Sequence, residues 1–153
     1  MKRVQIMEFE DQSWFPSWLR TCMTNNIIIM ARLLGVPHAL GSLLGDALEK
    51  TGSKQIVDLG SGSGGVMPEI LHALRKKPAM EDLSLILSDK FPNQEAIEHF
   101  NHQDAEGVHY FEQSVDATSL DSTPPGFKTM VNCFHHMSPH EARSILRNAV
   151  EKR

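Results

Sequence analysis

The residues best placed to do chemistry are the run Ile56–Gly65, IVDLGSGSGG. Gly60, Gly62 and Gly64 let the backbone turn tightly and approach a ligand with no Cβ in the way. A short apolar run precedes them and a helical pattern follows, the strand–loop–helix setting in which such a loop is meaningful. The same stretch satisfies G-x-G-x-x-G through Gly60, Gly62 and Gly65, the spacing used for a pyrophosphate. Asp58 argues the other way. A carboxylate at the strand end repels a pyrophosphate and attracts a ligand that carries positive charge.

The pattern D-x-G-x-G-x-G over Asp58–Gly64 resembles motif I of the class I (Rossmann-like) S-adenosylmethionine-dependent methyltransferases. The resemblance implies that Gly60, Ser61, Gly62 and Gly64, beside Asp58, cradle the methionine portion of the cofactor. That cofactor brings an ammonium and a sulfonium and no phosphate. A second apolar run, Leu83–Asp89, ends in a carboxylate that can accept both ribose hydroxyls. A helix cap ahead of Pro92 is the plainer role for Asp89. Phe91 either lines an adenine pocket or packs in the core.

In the segment SVDATSL the resemblance implies an adenine contact from Asp116, with the backbone N–H of Ala117 beside it. In FKTMVNCFHHMSP it places Asn132, Cys133 and Phe134 near the sulfonium, through backbone more than side chains. His136 is a candidate general base, since histidine titrates near neutrality, and a histidine packed in a strand-to-helix corner fits equally well. His135, His136 and His140 have no carboxylate or cysteine to complete a ligand set, so no metal site is read. Trp14, Phe15 and Trp18 either face an acceptor, as the family's N-terminal helices do, or pack their helix onto the domain.

These residues need elements to hold them. Residues 4–9 suit an extended segment. From Phe15 to Leu34 apolar positions recur at helical spacing, closed by Gly35, and a second helix fits Pro37–Lys50. Beyond Gly52 strands alternate with helices: Lys54–Gly60, a helix ending before Pro78, Leu83–Asp89, a helix over Pro92–Gln103, Val108–Gln113 and Phe127–Phe134. Ser138 and Glu141 form a capping box for a last helix opened by Pro139. Between Val115 and Gly126 the chain is polar and reads as a surface connection. The alternation predicts an α/β fold, a doubly wound, mostly parallel sheet preceded by helices. Residues 1–52 form an N-terminal helical segment over the site and residues 53–153 the cofactor-binding core.

With 153 residues, 41% hydrophobic and 22% charged, the chain has ordinary globular proportions. A net charge of −4 without a basic stripe argues against a nucleic-acid partner. The apolar stretches are too short to span a bilayer, and Glu8, Glu10 and Asp11 stand where a signal peptide needs an apolar core. Two cysteines, Cys22 and Cys133, far apart in the chain, suit the cytoplasm.

The family's sheet has seven strands in the order 3-2-1-4-5-7-6, whereas this chain supplies four. The sheet is therefore expected to be incomplete on its C-terminal side. Strand 4 is expected to be an apolar edge beside Val131 and Cys133, which leaves the chain marginally stable or leads it to self-associate. The function implied is methyl transfer from S-adenosylmethionine to a small-molecule acceptor. Two other classes stay open: an NAD(P)-dependent oxidoreductase using Gly60, Gly62 and Gly65, and a non-catalytic binding module.

Overall fold

A computed structural model describes residues 12, 14–102, 106–119 and 123–151; the extended reading of residues 4–9 lies outside them. The elements run α1 (Ser17–Leu33), α2 (Val36–Thr51), β1 (Gln55–Leu59), α3 (Met67–Leu74), β2 (Ser84–Ser88), α4 (Gln94–His102), β3 (Val108–Tyr110), β4 (Phe127–Thr129) and α5 (Pro139–Glu151). Short 3-10 turns cover Pro78–Met80 and Phe134–His136. The strands form one all-parallel sheet in the order β3-β2-β1-β4. Every parallel crossover needs a long connection, and α3, with the turn after it, supplies the one from β1 to β2.

β1 and β2 have neighbours on both sides, which is why they read as nearly continuous apolar runs. Ile56, Val57, Leu59, Leu85 and Leu87 are each 3% exposed or less. Side chains alternate across the sheet. Ile56, Leu85 and Leu87 join Leu44 and Leu48 of α2, Met67, Ile70, Leu71 and Leu74 of α3, and Ala96 and Ile97 of α4 in the main core. Val57 and Leu59 face the other way, onto Val115, Ala117 and Met130. The capping box is present: Ser138 N–H donates to Glu141 Oε2 at 2.8 Å and Glu141 N–H to Ser138 Oγ at 3.3 Å.

Three expectations need correction. β4 ends at Thr129 and not at Phe134. Asn132 adopts φ 60°, a left-handed conformation that no strand tolerates, and the chain turns there so that Cys133 Sγ donates to Leu59 O at 3.2 Å. Val131 packs on the main core, so neither it nor Cys133 lies along an exposed strand edge. β3 likewise stops at Tyr110, and with three residues each the two outer strands offer short edges. Val115, expected on the surface, is 4% exposed because it closes the second core.

The third correction concerns α1. Its most apolar positions do not face the domain: Trp18, Ile27, Ile29, Met30 and Leu33 are 45–76% exposed. The inward face carries Arg20, Thr21 and Thr24, followed by Ile28 and Ala31. α1 and α2 meet at 82°, and among the described residues no single helix is long and apolar enough to cross a membrane, although the bent pair passes by length and composition.

Candidate functional site

The C-terminal ends of β1 and β2 bring Asp58, the glycine loop and Asp89 together. Ser61 Oγ donates to Asp58 Oδ2 at 2.8 Å and accepts the Ser88 N–H at 3.2 Å. Ser61 N–H donates to Ser88 O at 2.9 Å, and Ser88 Oγ to Asp58 O at 2.8 Å. Thr129 Oγ1 of β4 donates to Asp58 Oδ1 at 2.7 Å. Both Asp58 oxygens thus hold protein hydroxyls, tying the loop and β4 to the end of β1. Burial pushes this carboxyl up to about 7, against the pull of the two hydroxyls.

The loop then turns over the strand ends, and its four glycines, Gly60, Gly62, Gly64 and Gly65, all have positive φ between 56° and 112°. At Gly64 the reason is also spatial, since a Cβ there would stand 2.8 Å from the Phe100 ring. Gly62 is held at both backbone polar groups. Its N–H donates to Asp89 Oδ2 at 2.8 Å, and its carbonyl accepts the Tyr110 hydroxyl at 2.8 Å. The other Asp89 oxygen accepts the Phe91 N–H at 2.8 Å. Burial raises the Asp89 carboxyl above its ordinary value.

Tyr110 was not legible as a site residue. It reads as one more apolar strand residue, yet it is fully buried and carries its hydroxyl from β3 under β2 to the loop. Asn101 fixes its backbone on both sides, donating to Tyr110 O at 2.9 Å and accepting Tyr110 N–H at 2.8 Å. Ser88, buried beneath Asp58 and Ser61, is a second such residue. A polar residue within an apolar strand, just before the terminal acid, is the signal that could have found it.

Phe91 lies beside this group with 37% of its surface exposed. Asp116 sits at the rim. Its Oδ1 accepts the Thr118 hydroxyl at 2.6 Å and N–H at 2.9 Å, and Lys90 Nζ lies 3.4 Å from its Oδ2. The Thr118 hydroxyl, above all, holds Asp116 below the usual carboxylate range. Ala117 is half-buried against the second core.

The turn after β4 closes the far side. Cys133 Sγ would stand 2.6 Å from a Cβ on Gly60, so that turn and the loop are in close contact. Burial pushes the Cys133 thiol up to about 12, with the charges of Asp58 and Asp89 adding to it. Burial raises the Tyr110 hydroxyl as well, again helped by Asp89 and Asp58. Asn132 is exposed, and His136 is half-buried with its ring 4.1 Å from that of His135. Among the described residues no three His, Cys, Asp or Glu side chains converge to hold a metal ion.

No protein-family model matches the sequence, and no characterised protein matches it. Among solved structures, the methyltransferase domain of the bacterial protein CtHen1-C superposes with a TM-score of 0.50 at 16% identity, over 72% of this chain and 57% of that one. A second structure of such a domain, CtHen1-CN, gives a TM-score of 0.47 at 16% identity, over 69% of this chain and 55% of that one. The chain thus spans little more than half the length of these domains. Over the aligned part the chain shares the fold of the first of these methyltransferase domains, with its own strands in the order β3-β2-β1-β4.

Proposed function

We propose that the ends of β1 and β2 bind S-adenosylmethionine, and that the chain carries the cofactor-binding part of an enzyme that methylates a small-molecule acceptor. The observation that carries this reading is the glycine loop folded onto Asp89, which accepts the Gly62 N–H, with the Asp58 carboxyl beneath the same loop. Two carboxyls at the loop suit a ligand with ammonium and sulfonium charges better than a pyrophosphate, which sets the dinucleotide reading through Gly65 behind it. The loop also has polar capacity to spare. Ser63 Oγ is buried and has no hydrogen-bond partner among the described residues, as a group awaiting a ligand would be.

When bound, the cofactor supplies a methyl group on a sulfonium, an electrophile that needs little further activation. The chain's own residues bind and orient. Gly60, Ser61, Gly62 and Gly64 give the loop its close backbone approach, and Asp58 acts through it by anchoring Ser61 and Thr129. Each Asp89 oxygen keeps a second lone pair for a ribose hydroxyl. Phe91 offers a ring face to adenine, with Asp116 and the Ala117 N–H at its edge. Asn132 sets the turn beside the methyl group, and His136 in that turn is the residue to accept a proton from the acceptor. Alignment of acceptor, methyl and sulfur supplies most of the acceleration in this scheme. The acidic balance and the two unpaired thiols agree with a small acceptor and a cytoplasmic location.

Calorimetry with S-adenosylhomocysteine and with NAD tests the reading. Binding of the first at the loop is expected. Binding of NAD alone makes the chain a dinucleotide protein, and binding of neither leaves a module without this cofactor.

A further inference from the structure

The inward face of α1 touches three separate parts of the site. Arg20 lays its guanidinium over the Phe91 ring, 5.6 Å from its centroid, and over the Phe15 ring at 5.9 Å. Its Nη2 donates to Gln12 O at 3.1 Å. Thr21 Oγ1 accepts from Asn93 Nδ2 at 3.1 Å, just before α4. Thr24 lies against the loop, its Oγ1 3.4 Å from where a Cβ on Gly62 would stand.

The groups that would serve the ligand already serve one another. Asp89 uses one oxygen on Gly62 N–H and the other on Phe91 N–H, while the Gly62 carbonyl holds Tyr110. Arg20 completes this arrangement: it is a planar cation on an aromatic face, beside a carboxylate. A cationic adenosine ligand would use the same ring face and the same charge.

We propose that this is a closed form of the site, in which Arg20 occupies the Phe91 face that adenine takes and α1 is a roof that lifts to admit the cofactor. The proposal rests on the S-adenosylmethionine reading above. Lifting α1 is inexpensive for a physical reason. Its bulky apolar side chains already face outward, none of its described side chains is fully buried, and its ion pair from Arg32 to Glu69 is exposed. Moving it uncovers Ile28 and Ala31, which are only partly buried against the main core, and otherwise breaks contacts that water can replace.

Trp14, just ahead of α1, stands edge-on to the Phe15 ring at 6.2 Å, the ring over which Arg20 also lies, so its emission responds when that cluster opens. S-adenosylhomocysteine is titrated into the wild type, Arg20→Ala and Arg20→Met, by calorimetry and by tryptophan emission. Both variants should bind about five- to thirtyfold tighter, the range for losing one or two competing cation–π contacts. Wild-type emission should shift on saturation, and the variants' resting emission should lie nearer the saturated value. Arg20→Met keeps an unbranched apolar stem in place, so it decides the matter if Arg20→Ala loosens the fold. Equal or weaker binding by both variants overturns the plug, since Arg20 would then be a bystander or a holder of the ligand. Binding without any change in wild-type emission overturns the roof. Binding by none of the three proteins defeats the cofactor reading itself, and this inference with it.

Discussion

Helix α3 has eight residues and buries Met67, Ile70, Leu71 and Leu74 almost completely, whereas α1, with seventeen, has no fully buried side chain among those described. Both helices border the glycine loop. α3 continues straight from it and packs its apolar stripe on the sheet, so loop and helix form one rigid piece. α1 approaches from the N-terminal side with Arg20, Thr21 and Thr24 toward the loop, and its apolar stripe points outward. One helix supports the site as part of the core; the other meets it through cation–π and polar contacts and rests on the core only through the partly buried Ile28 and Ala31.

The contrast is sharpest in stability. Leu71→Ala should cost about 2–5 kcal/mol in urea unfolding, as for a deleted buried leucine that leaves a cavity. Leu33→Ala, at a position 76% exposed, should stay within about 0.5 kcal/mol. Similar losses at both positions would mean that α1 is as much core as α3.

Asp58 belongs to the rigid side and should show it through pH. Its folded-state value is raised from 3.8 to about 7, so the fold holds a proton that the unfolded chain releases. That contribution is complete below 3.8 and is lost as pH rises through about 7. At about 1.4 kcal/mol per pH unit across that interval it amounts to about 4 kcal/mol. Asp58→Asn should flatten this part of the stability profile, measured by denaturant melts across that interval. An unchanged slope would assign the pH dependence elsewhere.

Asp89 stands between the two regions, and its effect should appear in binding. Asp89→Ala should weaken S-adenosylhomocysteine affinity by about 1–3 kcal/mol, the range for hydroxyls left without an acceptor. 2′-Deoxy and 3′-deoxy analogues should lose much of their disadvantage in this variant. Unchanged affinity would leave Asp89 as the anchor for Gly62 and Phe91 only.

A smaller effect than at Asp89 is expected at Tyr110→Phe. It removes one hydroxyl from the Gly62 carbonyl and should destabilise by about 1 kcal/mol. Hydrogen exchange at the loop amides should rise more than at α3. A uniform rise would place Tyr110 in the general core and not in the loop's support.

Much of the site was legible because its residues are neighbours along the chain or mark the ends of strands. The glycine loop lies within ten residues, and Asp89 ends an apolar run, so local pattern alone located both. The parallel order of the strands followed from the alternation of strand and helix, since a parallel neighbour requires a crossover. The ends of β3 and β4 were overextended for a related reason. VNCFHH is apolar enough to read as strand, but the turn at Asn132 is set by where Cys133 finds Leu59 O, a contact across the sheet.

What the sequence determined by itself is the order of elements, the loop and the acid opposite it, because each depends on bonded neighbours and on a period of two or 3.6 residues. What only the tertiary structure decided is which face of α1 turns inward, and that Tyr110 and Ser88 reach the loop. A helical period shows that one face is apolar but not which neighbour covers it. In this chain Thr21 bonds to Asn93, Arg20 lies on the Phe91 ring and Thr24 packs by Gly62, while Ile28 and Ala31 rest on the core. This face therefore turns inward and the larger apolar side chains turn out.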